Sequence, residues 1–163
     1  MLPLLLAALS LSAGDPAPPL RALEILRAPT GAGVVRQLPQ NTPMVVEFWA
    51  SWCGPCVEAI PRWNTLAQKF EGRLQFIAVS AEDPETVAEF LAKRPMAGWV
   101  ALDVDGTVHS AYGVETVPRT FLVDAHGVVR GVTTLSALRD MDLEALAASR
   151  AIALQVPKQP GEG

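Results

Sequence analysis

Met44-Val45-Val46-Glu47-Phe48-Trp49-Ala50-Ser51-Trp52-Cys53-Gly54-Pro55-Cys56 holds the only two cysteines among the 163 residues of this chain. The first half reads as an apolar strand interrupted by one acid, Glu47. The second half sets two thiols at the spacing at which one helical turn carries a reversible disulfide. A cysteine at a helix N-terminus meets the partial positive charge of unpaired N–H groups, which favours its thiolate. The thiolate is the form that attacks disulfides. Pro55 suits the first turn, where its missing N–H costs nothing and its fixed φ helps start the helix. Cys53 is therefore the expected nucleophile, and Cys56 its resolving partner. Downstream, Ile60, Trp63, Leu66, Ala67 and Phe70 share one face of an amphipathic helix predicted over residues 57–70.

Other chemistries are open to such a pair. A zinc site needs three or four ligands, and only His109 and His126, each alone in a turn-like context, are available to join the cysteines. A structural staple is a second alternative, although a bridge closing so short a loop removes little chain entropy. The strand–turn–CxxC–helix context favours redox chemistry over both.

The string from Glu47 to Cys56 resembles the active-site segment of thioredoxin. Thr116-Val117-Pro118-Arg119-Thr120-Phe121-Leu122-Val123-Asp124 resembles the same superfamily's cis-proline loop and the strand after it. The resemblance covers residues 44–129 and implies a thioredoxin-like α/β fold, a central mixed sheet flanked by helices. It implies Cys53 at the surface with Cys56 behind it, and a cis Pro118 facing the pair. The backbone of Val117 would pair with an incoming extended peptide. Trp52 is expected to cover the disulfide, with Gly54 and Pro55 completing the docking surface. Glu47 would lie beneath Cys56, where thioredoxins carry an Asp that moves the proton of the resolving thiol. Burial of an acid in an apolar strand raises its pKa; the alternative is an outward-pointing acid at a strand end. Glu58 reads as a solvated residue near a helix start, and Arg119 as either a guide for acidic substrates or a solvated cation.

Around this centre the pattern alternates. Residues 74–80 form a continuous apolar strand suited to the middle of a parallel sheet. Asp83-Pro84-Glu85 opens a helix that ends near Lys93 or Arg94. Residues 99–102 read as a strand, 108–112 as a short helix, 120–124 and 128–132 as a hairpin, and 142–150 as a closing helix. Residues 20–28 fit a short helix or an edge strand equally, and 34–38 are ambiguous. Asp103-x-Asp105-Gly106 lacks the further ligands of a calcium loop and reads as a turn. The stretch 81–112 is longer than in a plain thioredoxin. With Asp105 to Asp124 it resembles the TlpA and ResA group of exported thiol–disulfide reductases, whose insert is a strand-plus-helix unit. Peroxiredoxins share that insert but lack this CxxC arrangement.

Length suits one domain with its own core. A net charge of −4 and the lack of any Lys/Arg-rich run argue against nucleic acid. Residues 1–13 are apolar and end in small residues, as a secretory signal peptide does, although no Lys or Arg precedes Arg21. Residues 14–19 read as a Pro-rich linker, 20–154 as the thioredoxin-like domain and 155–163 as a disordered tail. The resemblance implies a monomeric disulfide reductase outside the cytoplasm. It would work without a bound cofactor or metal, on protein thiols and disulfides, with electrons from a membrane thiol carrier. Substrates in that group include apocytochrome c and copper-site assembly proteins. The alternatives are an oxidase or isomerase, a non-catalytic metallochaperone or adaptor, and a cytoplasmic thioredoxin.

Overall fold

The computed structural model describes residues 10–32 and 37–148. Among them six strands form one mixed sheet: β1 (Glu24–Arg27), β2 (Met44–Phe48), β3 (Gln75–Ser80), β4 (Trp99–Leu102), β5 (Arg119–Val123) and β6 (Val129–Thr133). The order is β1-β4-β3-β2-β5-β6. β3 lies parallel to β2 and β4; the β2–β5, β5–β6 and β1–β4 pairs are antiparallel. The helices are α1 (Gly54–Glu58), α2 (Ile60–Lys69), α3 (Pro84–Lys93), α4 (Thr107–Ala111) and α5 (Asp140–Ala147).

Side chains alternate along β2, so its two faces feed different cores. Val45 and Trp49 join a cluster with both cysteines, Ile60, Trp63 and Leu66 of α2, Val87 and Leu91 of α3, and Leu143 and Leu146 of α5. Val46 and Phe48 join Ile77, Phe121 and, from the α4 segment, Val108 and Tyr112. The second core contains a ring cluster, with Phe48 5.2 Å from Tyr112 and 5.6 Å from Phe121 between centroids. Such tilted and edge-on contacts are the favoured aromatic geometries.

Local chemistry sets the element ends. Asp83 caps α3, its carboxylate accepting the Thr86 N–H at 2.9 Å, and Pro84 occupies the first turn. Gly98 leads into β4 with φ +80°, and a Cβ there would stand 2.5 Å from the Phe76 carbonyl oxygen. Only glycine allows this approach of the β4 lead-in to β3.

Several expectations need correction. The single helix predicted over 57–70 starts earlier, at Gly54, and is divided at Ala59 into α1 and α2. Pro61 explains the division: it has no N–H for the i−4 carbonyl, and its ring crowds the preceding turn. Residues 20–28 contain a strand, β1, on the sheet edge against β4. The stretch read as a linker runs along the other edge. Gly14 donates to the Val129 carbonyl and Ala17 to the Gly127 carbonyl, each at 2.8 Å, and Val129 donates to Asp15 at 2.9 Å. Tyr112 donates its hydroxyl hydrogen to the Pro18 carbonyl at 2.8 Å, tying this strap to the aromatic core. The closing helix begins two residues earlier than expected, at Asp140, where Arg139 and Asp142 form its capping pair. Most of 34–38, residues 1–9 of the leader and the whole tail lie outside the described residues. Among the described residues no helix is long and apolar enough to cross a membrane.

Candidate functional site: a disulfide above a buried acid

Cys53 and Cys56 are joined in a disulfide, with Cα atoms 5.2 Å apart. β2 delivers the chain to this point. A turn follows, closed by the Cys53 N–H donating to the Ala50 carbonyl at 3.2 Å. Cys53 then caps α1: its Sγ accepts the Cys56 N–H at 3.3 Å. That donor favours negative charge on Cys53 sulfur once the disulfide opens.

Two expectations about exposure fail. Cys53 is no more exposed than Cys56, each showing 4% of its surface. The turn folds Cys53 inward against the first core, and Val117 packs on that cluster. Trp52 is 76% exposed, so its indole stands in solvent rather than covering the pair. Gly54, Pro55 and Glu58 are exposed beside it. The Val117–Pro118 peptide is cis, as the proline-loop motif leads one to expect. Arg119 is buried, which fits neither of the two solvent-facing roles read for it.

Glu47 is the one acid in β2, and it is buried. Its cross-strand partner is Thr120, whose hydroxyl donates to the Glu47 carboxyl. Burial pushes its pKa up from 4.5 to about 7, against the Thr120 hydroxyl, which favours the ionised form. Glu47 and Cys56 line the same small cavity, of about 10 Å³, together with Trp49, Ala59 and Ile60. This volume is at the lower limit for a single water molecule. Glu47 and Cys56, but not Cys53, line this space, so the acid sits on the Cys56 side of the disulfide.

Sequence reasoning missed two groups. Thr120 could have been found, because it stands two residues after Pro118, at the head of a strand the pattern already marks. Glu82, which accepts from Ser51 beside the redox turn, carries no comparable signal; it is one acid in an acidic helix lead-in.

The sheet order, the CxxC at the head of α1 and the cis proline define a thioredoxin-like protein with a redox-capable cysteine pair. The chain belongs to the AhpC/TSA family, whose profile matches residues 14–132. It is 33% identical over 86 residues to the thiol-disulfide oxidoreductase ResA of Bacillus thuringiensis subsp. konkukian, covering 52% of this chain and 50% of that protein. ResA of Geobacillus thermodenitrificans is 32% identical over 91 residues, 55% of this chain and 52% of that one. The chain thus spans about half the length of the curated relatives it matches. Among solved structures, a candidate thiol:disulfide interchange protein DsbE from Chlorobium tepidum superposes with a TM-score of 0.64 at 33% identity. The match covers 85% of this chain and 95% of that one. Mycobacterium tuberculosis AhpC shares the fold, with a TM-score of 0.65 at 21% identity.

Proposed function

We propose that this protein is a thiol–disulfide oxidoreductase that reduces protein disulfides outside the cytoplasm. The observation that carries the reading is the Cys53–Cys56 disulfide with Glu47 beneath it, in a fold shared at 33% identity with a DsbE-type chain. In the dithiol form the Cys53 thiolate attacks one sulfur of a substrate disulfide. The substrate S–S bond breaks, one substrate thiolate leaves and takes a proton, and a Cys53–substrate mixed disulfide forms. The Cys56 thiol passes its proton to the ionised Glu47, directly or across one water. The resulting thiolate attacks Cys53 Sγ, closes the Cys53–Cys56 bond and expels the second substrate thiolate. Two electrons have moved to the substrate, and a thiol donor of the membrane restores the dithiol. Trp52, Gly54 and Pro55 form the docking surface, and the Val117 backbone beside Pro118 pairs with the substrate chain.

The apolar residues 1–13 and the ResA resemblance support export and a place in cytochrome c assembly, with removal of the leader near Ser12 or Ala13. The bonds from the strap to the hairpin begin at Gly14, so that cut keeps them and removes the contacts of Ser12 with Asp15. In an insulin-reduction assay with dithiothreitol as donor, Cys53→Ser lowers turnover to background, while Cys56→Ser accumulates mixed disulfides detectable by mass spectrometry. Equal trapping by both variants contradicts the roles. A pair potential well below about −220 mV fits a reductase, and one near about −120 mV makes the protein an oxidant instead.

A further inference from the structure

We propose that Glu82 is a positioning residue of the redox site: its carboxylate fastens the 50–53 turn to the end of β3 and so sets how closely the two thiols are held. This rests on reading Cys53–Cys56 as the working pair. Ser51 stands inside the turn closed by Cys53 and Ala50, and both of its donors go to Glu82. Its N–H reaches Oε2 at 2.9 Å and its hydroxyl reaches Oε1 at 2.5 Å. Glu82 is itself fastened by Ser80, the last residue of β3. The Ser80 hydroxyl donates to Oε2 at 2.9 Å, and its oxygen accepts the Glu82 N–H at 3.1 Å. Ser80 is fully buried, and its carbonyl accepts the Asp103 N–H at 2.8 Å. A continuous chain of bonds thus runs from the sheet interior through Ser80 and Glu82 to Ser51, two residues before Cys53.

Closing a disulfide between two residues of one chain depends on the effective concentration of one thiol at the other. A turn held on both of its Ser51 donors keeps Cys53 over α1 when the sulfurs are reduced. Releasing it spreads the positions Cys53 can take and weakens the disulfide relative to the dithiol. Charge offers a competing explanation, since a carboxylate near Cys53 disfavours its thiolate. Glutamine separates the two: it keeps an oxygen for Ser51 N–H and Ser80, offers an amide to the Ser51 oxygen, and removes the charge.

The test is the equilibrium potential of the pair in glutathione buffers, which needs no protein substrate. Glu82→Ala is expected to weaken disulfide closure about tenfold, a potential about 30 mV higher. Glu82→Gln restores closure to within about twofold of wild type. Ser51→Ala, which removes one of the two turn bonds, gives an intermediate shift, and adds nothing further in the Glu82→Ala background. If Glu82→Ala does not fold, the Ser51→Ala shift decides alone. A wild-type potential in both alanine variants overturns the proposal, as does a Glu82→Gln shift as large as that of Glu82→Ala. A wild-type protein that titrates as a dithiol yet reduces no protein disulfide would overturn the oxidoreductase reading and leave this one standing.

Discussion

The two ends of the β2–β5 ladder each bury a carboxylate, and they partner it in opposite ways. At the redox end, Glu47 has one donor among the described residues, the Thr120 hydroxyl, and burial lifts its pKa to about 7. At the hairpin end, Asp124 accepts the His126 N–H at 2.9 Å, the Val128 N–H at 3.0 Å and the Arg130 Nε–H at 2.6 Å. Burial pushes Asp124 up too, but the backbone N–H groups and the guanidinium outweigh it and hold the group below the usual carboxylate range. A carboxylate wrapped in donors is a structural anion, fixed in one state. A carboxyl with one neutral donor and a thin cavity beside it changes state near neutral pH. Proton transfer needs such a group.

Each carboxyl can be perturbed separately. The largest effect falls on Glu47. Its folded pKa, about 7, lies above its ordinary 4.5, so folding takes up a proton between those values. The stability contributed by the neutral acid is complete below pH 4.5 and is lost as pH rises through 7. Between pH 4.5 and pH 8 the oxidised wild type should lose up to about 3 kcal/mol more than Glu47→Gln. Denaturant melts at the two pH values check this, and parallel slopes in both proteins would remove the contrast.

Asp124→Asn comes next. It leaves a guanidinium and two N–H donors poorly matched, and should cost about 2 kcal/mol at pH 7. Turnover per folded molecule should stay at the wild-type level, because the hairpin end lies away from the disulfide. A fall in turnover greater than the loss of folded protein would mean that the two ends are coupled. The smallest effect belongs to Thr120→Val. Removing the hydroxyl takes away the one bond that favours the ionised form, so the Glu47 midpoint moves above 7. A carboxyl-detected NMR titration reads this directly, and a downward move would contradict the assigned cause.

The Glu47 half of this contrast was legible in the sequence, whereas the donor shell of Asp124 was not, and the reasons differ by element. The CxxC, the apolar β2 with its lone acid and the proline loop are local patterns, each needing only a few consecutive residues. Glu47 stands out because an acid in a continuous apolar strand is expensive to bury. The split at Ala59 was also written in the chain, as Pro61, but the apolar face of 57–70 hid it. The strap over β6 was not legible, because a Pro-rich stretch reads as a linker whether or not an edge lies within reach. The burial of Cys53 and of Arg119 depends on how the turn and β5 meet the core, which no run of consecutive residues specifies. Glu82 was hidden for the same reason. Its partner Ser51 is 31 residues away, brought close only because β2 and β3 run parallel and end together.

The most direct test of the account is the rate at which Cys56 resolves a preformed mixed disulfide on Cys53, measured against pH in wild type and Glu47→Gln. An acceptor for the Cys56 proton should make wild type about 100-fold faster at pH 7, with the two converging above about pH 9 as the thiol ionises unaided. Two profiles of the same shape and height would show that Glu47 does not take that proton.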